Sequence, residues 1–210
     1  PLRVALAAPE LQWSGTWSPA SGQTGVLNLD GGSLSVPSLN LAAGGIGAEV
    51  VIDADKASAD LSVASITNTA KPPLHVPLTL TGKAETSGDK LTFTGVLRDR
   101  SKRLRSTIDI EHAFTANSGQ AMLKMASVTF DPGGLQPQDL IPAIGSQVAE
   151  VTGESALAGT IRWKRGKLAS DLELLLKDIS FKSPQADILR LNSVVKIDSL
   201  MPFATKPAQQ

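Results

Sequence analysis

Apolar and polar residues alternate with a period of two through almost the whole chain, and this alternation constrains the fold more than any other feature. A clear example is the segment 90–99, in which Leu91, Phe93, Gly95 and Leu97 share one parity. Because successive side chains of a β-strand point to opposite faces, such segments form strands with one apolar and one polar face. The sequence therefore predicts an all-β fold, a long, twisted antiparallel sheet that curls into a groove (a β-taco).

Turn residues divide the predicted sheet into strands. The dipeptide Gly31-Gly32 predicts a hairpin between strands at 25–30 and 33–41. Regular alternation predicts a further strand over 74–84. Near Asp178 the apolar parity slips by one residue, which predicts a β-bulge.

One segment follows a helical period instead. Within residues 138–148, Leu140, Ile144 and Val148 recur at every fourth position, and Pro137 suits the first position of a helix. Because Pro142 lies close to the first turn, we expect the helix to begin irregularly. The sequence predicts one short helix here and no other.

The domain organisation is interpreted as a single β-rich groove segment that spans residues 1–210 and belongs to a longer protein. The best candidate for an internal seam lies near residues 70–73, at Lys71-Pro72-Pro73. No apolar run approaches the ~18 residues that a membrane-spanning helix needs.

Composition excludes several classes of function. The chain has 20 basic and 20 acidic residues, so its net charge of zero gives no attraction to nucleic acid. It contains no Cys, which excludes thiol chemistry and Cys-ligated zinc. It also has no Tyr and an aromatic share of only 4%, which disfavours stacking platforms for nucleic acids.

The titratable residues do not form a catalytic pattern. His75 and His112, the only histidines, each stand in an alternating segment without a second ligand at metal-binding spacing. Acidic pairs such as Asp109 and Glu111 share a strand face and are typical of a solvated surface. No nucleophile, base and orienting group can be combined, so we predict that the chain is not an enzyme and has no cofactor or metal.

A local cluster of cations, Lys102, Arg103 and Arg105, has two interpretations. The favoured one is a solvated turn between strands, and the alternative is contact with acidic lipid head groups or with a partner.

The apolar parity of the last strands carries the functional argument. On the other parity, Thr160, Arg162 and Glu173 form a wet face. A sheet with one wet face must cover the other, by packing on itself or on a second sheet, or by holding an apolar ligand. With about one helix available as cover, we predict a face that lines a lipid groove, and an ordinary sandwich core remains the alternative. The candidate lining residues are Leu157, Ile161, Trp163, Leu172, Leu174, Leu176, Ile179, Phe181, Leu189, Leu191, Val195 and Ile197.

Residues 120–210 resemble a known family. The turn VTFDPGGLQPQDLIP contains an F-x-P-G-G-L-Q-P-like motif at 130–137, and the following strand has a G-x-I-x-W pattern at Gly159, Ile161 and Trp163. A closing strand leads into a Leu-x-Pro-x-x-T segment at Leu200 and Pro202. These motifs resemble the C-terminal region of the YdbH branch of the AsmA-like bacterial envelope proteins. The first 110 residues share only the general pattern of alternating strands and turns with that family.

The resemblance implies an intermembrane phospholipid-transport protein that is anchored in the inner membrane and bridges the periplasm through an apolar β-groove. It further implies phospholipid as cargo and an outer-membrane lipoprotein that pairs by strand addition. It implies no nucleic-acid partner. The alternative from the residues themselves is a structural or interaction module of the cell envelope, a β-sandwich or solenoid without lipid cargo.

Overall fold

The computed structural model describes residues 5–8, 10–18, 22–200 and 203–205. These residues form an all-β architecture, one open antiparallel sheet that is curled but not closed, which confirms the predicted fold class. In chain order the 14 strands are β1 (Ala5–Ala7), β2 (Glu10–Ser18), β3 (Gly22–Val36), β4 (Leu41–Asp53), β5 (Lys56–Asn68), β6 (Leu78–Ser87), β7 (Lys90–Asp99), β8 (Arg105–Ala113), β9 (Ser118–Met125), β10 (Val128–Phe130), β11 (Ala149–Lys164), β12 (Lys167–Lys182), β13 (Asp187–Leu200) and β14 (Phe203–Thr205).

The topology is a meander in which strands that follow one another in the chain are generally neighbours in the sheet. Two long strands each pair with two shorter ones along one edge. Strand β3 pairs with β2 and then with β1, and β11 pairs with β9 and then with β10. Antiparallel neighbours with short connections explain why consecutive segments find each other so regularly.

The register places the apolar residues of the strands on one face of the sheet. A single cross-strand row, ten steps long, contains only aliphatic residues and glycine. In sheet order it is Leu11, Leu29, Ala48, Leu61, Gly82, Gly95, Ile108, Leu123, Gly159, Leu172 and Ile197. The adjacent row, on the other face, includes Asn28, Glu49, Asp60, Lys83, Thr94, Asp109, Thr160 and Asp171. We call the two surfaces the apolar face and the polar face.

The predicted short helix takes a different form. In its place are two short 3₁₀ helices, Pro137–Asp139 and Pro142–Gln147, and the second is interrupted at Gly145, whose φ is 53°. Proline begins each of them and cannot donate the backbone hydrogen bonds of a longer α-helix, so the fourfold spacing of apolar residues does not produce one.

Three strand boundaries also differ from the sequence-based prediction. The strand predicted over 33–41 ends at Val36, because Pro37 begins a short 3₁₀ helix, Pro37–Leu39, before β4 starts at Leu41. Gly31-Gly32 is not a hairpin turn, because β3 continues through it with a register shift against β4 and with φ of 67° at Gly31. It is therefore a bulge. The strand predicted over 74–84 begins only at Leu78, after Pro77. The bulge predicted near Asp178 is confirmed, since the register of β12 against β13 shifts there and Asp178 has φ of 49°.

The two ends of the strands differ. At one end, called the turn end, tight turns join β4 to β5, β6 to β7, β8 to β9 and β11 to β12. At the other end, two longer connections, residues 69–77 and 131–148, join β5 to β6 and β10 to β11. We call these two connections together the plug. The proposed seam at 70–73 lies in the first of them, and the strands on both sides of it, β5 and β6, pair with each other.

Candidate functional site

The apolar face is partly covered along its whole length. Most of its side chains are half-buried, and no large side chain in the described part of the protein falls below 2% exposure. The accessible surface is 13172 Å², whereas a compact monomer of this size exposes about 9,300 Å². The curl therefore shields the apolar face from water without closing a conventional core over it.

Eleven of the twelve predicted lining residues lie on the less exposed side of their strands, and the register brings them together. Leu174, for example, lies between Leu157 of β11 and Val195 of β13. The exception is Leu189, which is 79% exposed. Arg190 adopts a left-handed conformation with φ of 53° and shifts the parity, so Ile188 pairs with Phe181 in its place.

The apolar face extends beyond the residues selected from the sequence. Strands β2 to β9 contribute to it equally, and Ile46, Val63 and Phe93 belong to its most buried positions. The signal that could have identified them is the same alternation, which is as regular in these strands as in the later ones.

Aromatic rings cover glycines at several points of this face. Phe93 covers Gly82 and Gly95, where an added Cβ would meet its ring at 2.5 and 2.6 Å. Trp163 covers Gly119 in the same way, at 2.5 Å. A ring over a glycine replaces the side chain that the glycine lacks and leaves the face low and even.

At the turn end, the aromatic group includes a histidine. The indole Nε1 of Trp163 donates a hydrogen bond to Nδ1 of His112 over 3.1 Å, and the two rings are stacked with centroids 6.0 Å apart. The rings of Phe114 and His112 pack at right angles, with centroids 5.3 Å apart. These contacts fix the orientation of Trp163 at the end of β11.

The turns at this end are joined sideways. The carboxylate of Asp89 accepts hydrogen bonds from the hydroxyl and the backbone N–H of Thr115, at 2.5 and 2.7 Å. The hydroxyl bond, and then the backbone bond, lower the pKa of Asp89. The N–H of Arg165 donates to the carbonyl of Asn117 over 2.8 Å. The turn end is thus held in register, although its apolar face stays half exposed at Leu168 and Phe114.

The plug covers the opposite end. Its two connections bond directly, from Val76 N–H to Leu140 O and from Ala143 N–H to Pro73 O, each at 3.0 Å. Three strands, β7, β8 and β9, lie between β6 and β11, so these two strands would be about 19 Å apart in a flat sheet. The plug therefore spans several strands. Leu140, Val128 and Val151 at this end are between 3% and 6% exposed.

A buried glutamine fixes the plug to the sheet. The side-chain amide of Gln136 donates to Val151 O and accepts from Val151 N–H, each at 2.9 Å. The side chain of Gln136 thereby takes the place of a paired strand residue beside β11, just beyond the last pair that β10 makes, Phe130 with Gly153. Both buried backbone groups of Val151 are satisfied by this one side chain.

The predicted cationic cluster lies at the plug end. Arg103 approaches the buried carboxylate of Asp99 at 3.7 Å and Asp139 of the plug at 3.6 Å. Lys102 and Arg105 are exposed. The described cluster therefore has a structural contact through Arg103, and its proposed contact with head groups remains a prediction.

The described residues contain neither a metal-binding cluster nor a membrane-spanning helix. Within them, no three His, Asp or Glu side chains lie close enough together to hold a metal ion. None of the helices in that part of the chain is long and apolar enough to cross a bilayer.

No family model, curated protein or solved structure matches the chain.

Proposed function

We propose that this chain is a lipid-conduit segment of an intermembrane phospholipid-transport protein, in which acyl chains lie on the apolar face of the curled sheet. The proposal retains the sequence resemblance to the YdbH branch of the AsmA-like proteins. It includes a periplasmic location and an inner-membrane anchor in the full-length protein.

One observation carries the proposal: the apolar face is continuous across the sheet yet only half-covered. In an ordinary sandwich, a second sheet about 10 Å away would bury this face. Here the described strands belong to one open sheet. Exposed apolar area is unfavourable in water at roughly 25 cal/mol per Å², so an apolar guest on this face would be stabilised by burial.

The length of the face favours a conduit over a pocket for one ligand. Its aliphatic and glycine row crosses eleven strands, from Leu11 to Ile197, which corresponds to roughly 50 Å at the usual strand spacing. One leaflet of a bilayer is only about 15 Å deep in hydrocarbon. Several positions for acyl chains are therefore available along the row.

A partner by strand addition is part of the proposal. Strand β14 pairs with β13 only over Ile197–Leu200, and no other described strand lies on that side of β13. The backbone groups of residues 187–196 that point away from β12, apart from those of Arg190, are thus available to an added strand, the role proposed for an outer-membrane lipoprotein.

The test is lipid capture by the purified protein. We expect phospholipid to co-purify and to be detected by mass spectrometry. The substitution Leu174→Asp places a charge on the apolar face and should abolish this capture. Leu175→Asp is the matched control, because Leu175 is the next residue of the same strand, has the opposite parity and is 46% exposed.

The same variants separate this function from the alternative. If the fraction of protein that Leu174→Asp unfolds accounts for all of the lipid capture that is lost, the face is a structural core and the envelope-module interpretation stands. Absence of bound lipid from the unmodified protein would refute the conduit.

A further inference from the structure

A cavity of about 630 Å³ lies on the apolar face at the turn end, where β7, β8, β9, β11 and β12 meet. One cross-strand row of that face runs through its lining, namely Leu91, His112, Gly119, Trp163 and Leu168. Residues of the rows on either side also border the cavity, but their side chains have the parity of the polar face and point away from it. The side chains that reach the cavity are therefore mainly apolar, and the imidazole of His112 is the polar group among them.

The hydrogen bond between Trp163 and His112 fixes which imidazole nitrogen carries the proton. An indole N–H can only donate, so Nδ1 of His112, which lies 3.1 Å from Trp163 Nε1, accepts and has no proton of its own. In the neutral imidazole the proton is then on Nε2. The two rings stack with centroids 6.0 Å apart across Gly119, which holds the imidazole in this orientation.

The Nε2–H group of His112 has no acceptor among the described residues. The carboxylate of Asp89 on the neighbouring turn bonds to Thr115, and the carboxylate of Glu111 belongs to the polar face and bonds to Gln120. The ring of His112 is half-buried in the cavity wall, and Nε2 is not a fully buried atom. The cavity thus combines apolar walls with one hydrogen-bond donor in a fixed position.

The apolar face continues from this donor toward the middle of the sheet. The next row of the same face contains Ile110, Ala121 and Ile161, which are all aliphatic. In a glycerolipid, the ester carbonyl is a hydrogen-bond acceptor attached directly to an alkyl chain. One donor followed by an aliphatic surface matches this order of groups.

We propose that this cavity binds the ester end of a glycerolipid acyl chain, with His112 Nε2–H donating to the carbonyl oxygen and the chain lying on Ile110 and Ile161. The proposal rests on the proposed function and adds to it a site that recognises the ester group. Burial of an acyl chain is non-directional and does not fix where the chain stops. The hydrogen bond to His112 sets that position at the turn end.

The experiment compares two lipids on the 210-residue chain, dihexanoyl phosphatidylcholine and the diether dihexyl phosphatidylcholine, both below their micelle concentrations. The two lipids share a head group, and the diether lacks the carbonyl oxygens. We expect the ester lipid to bind about fivefold more tightly, the effect of one neutral hydrogen bond. In long-range proton–nitrogen NMR spectra, His112 should carry its proton on Nε2, and the signal of that proton should move downfield with the ester lipid alone.

Two single variants test the location. His112→Phe keeps a flat ring beside Trp163 and removes the donor, so the preference for the ester lipid should fall to about onefold. The matched control is His75→Phe, because His75 is the other histidine of the chain and lies in the plug, outside the cavity. This control should retain the preference. The NMR measurement needs no substitution, so it tests the site even if His112→Phe does not fold.

The outcomes separate this site from the conduit. Equal affinity of the unmodified protein for the two lipids, or a proton on Nδ1 of His112, overturns the ester site and leaves the conduit intact. An equal loss of both lipids in His112→Phe also overturns it, because His112 would then contact the shared head group. If neither lipid binds to the unmodified protein, the conduit fails as well.

Discussion

The two ends of this sheet treat the same apolar face in opposite ways. At the plug end, Leu140 and Val151 are buried, and the side chain of Gln136 hydrogen-bonds both the N–H and the C=O of Val151. At the turn end, Leu168 and Phe114 remain half exposed, although hydrogen bonds between neighbouring turns hold the strands in register.

The difference between the two ends separates a region that stabilises the fold from a region that is open to a ligand. Apolar burial is concentrated in the middle of the sheet and at the plug end, where removal of a side chain leaves a cavity or an unpaired group. The turn end contributes little burial and keeps an open cavity beside Leu91, Trp163 and Leu168. Substitutions at the first end should therefore act on folding, and those at the second on binding.

The largest effect is expected from a charge at the plug end. Val151 is 3% exposed, so Val151→Asp buries an unpaired carboxylate and should lower the free energy of unfolding by about 3–5 kcal/mol. Leu168→Asp at the turn end should change it by less than about 1 kcal/mol. Urea denaturation measures both. Similar losses in the two variants would contradict the contrast between the ends.

A smaller loss is expected for the glutamine that bonds to Val151. Gln136→Ala leaves a buried N–H and C=O without partners and should cost about 2–3 kcal/mol. The matched change at the turn end, Gln120→Ala, removes an exposed hydrogen bond to Glu111 and should cost about 0.5 kcal/mol. Chemical denaturation of the two variants tests the ranking, which fails if Gln120→Ala costs as much.

At the turn end itself, Gly119 lies under the ring of Trp163. An added Cβ at Gly119 would clash with the backbone oxygen of Glu111 and would meet the ring at 2.5 Å, so Gly119→Ala should destabilise the protein by about 1–3 kcal/mol and alter the fluorescence of Trp163. Gly44→Ala is the control, because no atom lies within 4 Å of the Cβ it would add. A neutral Gly119→Ala would show that the ring does not rest on this glycine.

The smallest effect is a pH dependence confined to the turn end. Because hydrogen bonds from Thr115 lower the pKa of Asp89 below its usual 3.8, the ionised carboxylate stabilises the fold above that pH. This contribution is lost as the pH falls through the lowered folded pKa. The protection factor of the Thr115 amide should fall there in the native protein and be low at every pH in Asp89→Ala. A protection factor that does not change with pH in the native protein would disprove the tie.

The alternation of side chains was sufficient to predict the strands and the faces on which Leu157, Leu174 and Val195 lie. It was not sufficient where the backbone leaves the regular strand conformation. Arg190 reverses the parity of Leu189, and Gly31-Gly32 forms a bulge because β3 remains paired on both sides of it. Local periodicity contains no information about such left-handed residues until a neighbouring strand fixes the register.

The plug and the cavity depend on contacts between distant segments. Residues 69–77 and 131–148 contain no shared motif, yet they bond to each other. The cavity at the turn end takes residues from five strands, and only the register places Leu91 in the same row as His112 and Trp163. The sequence could therefore indicate an apolar face but not its covered end or the cavity at its other end.

The rings that cover glycine have a kinetic consequence for the proposed cargo. Beside Gly82, Gly95 and Gly119, the rings of Phe93 and Trp163 occupy part of the space in which an acyl chain would otherwise contact bare backbone. A guest there contacts aromatic carbon instead of peptide groups, and its contacts change by small amounts as it moves from one strand to the next. Its residence at these strands would be short.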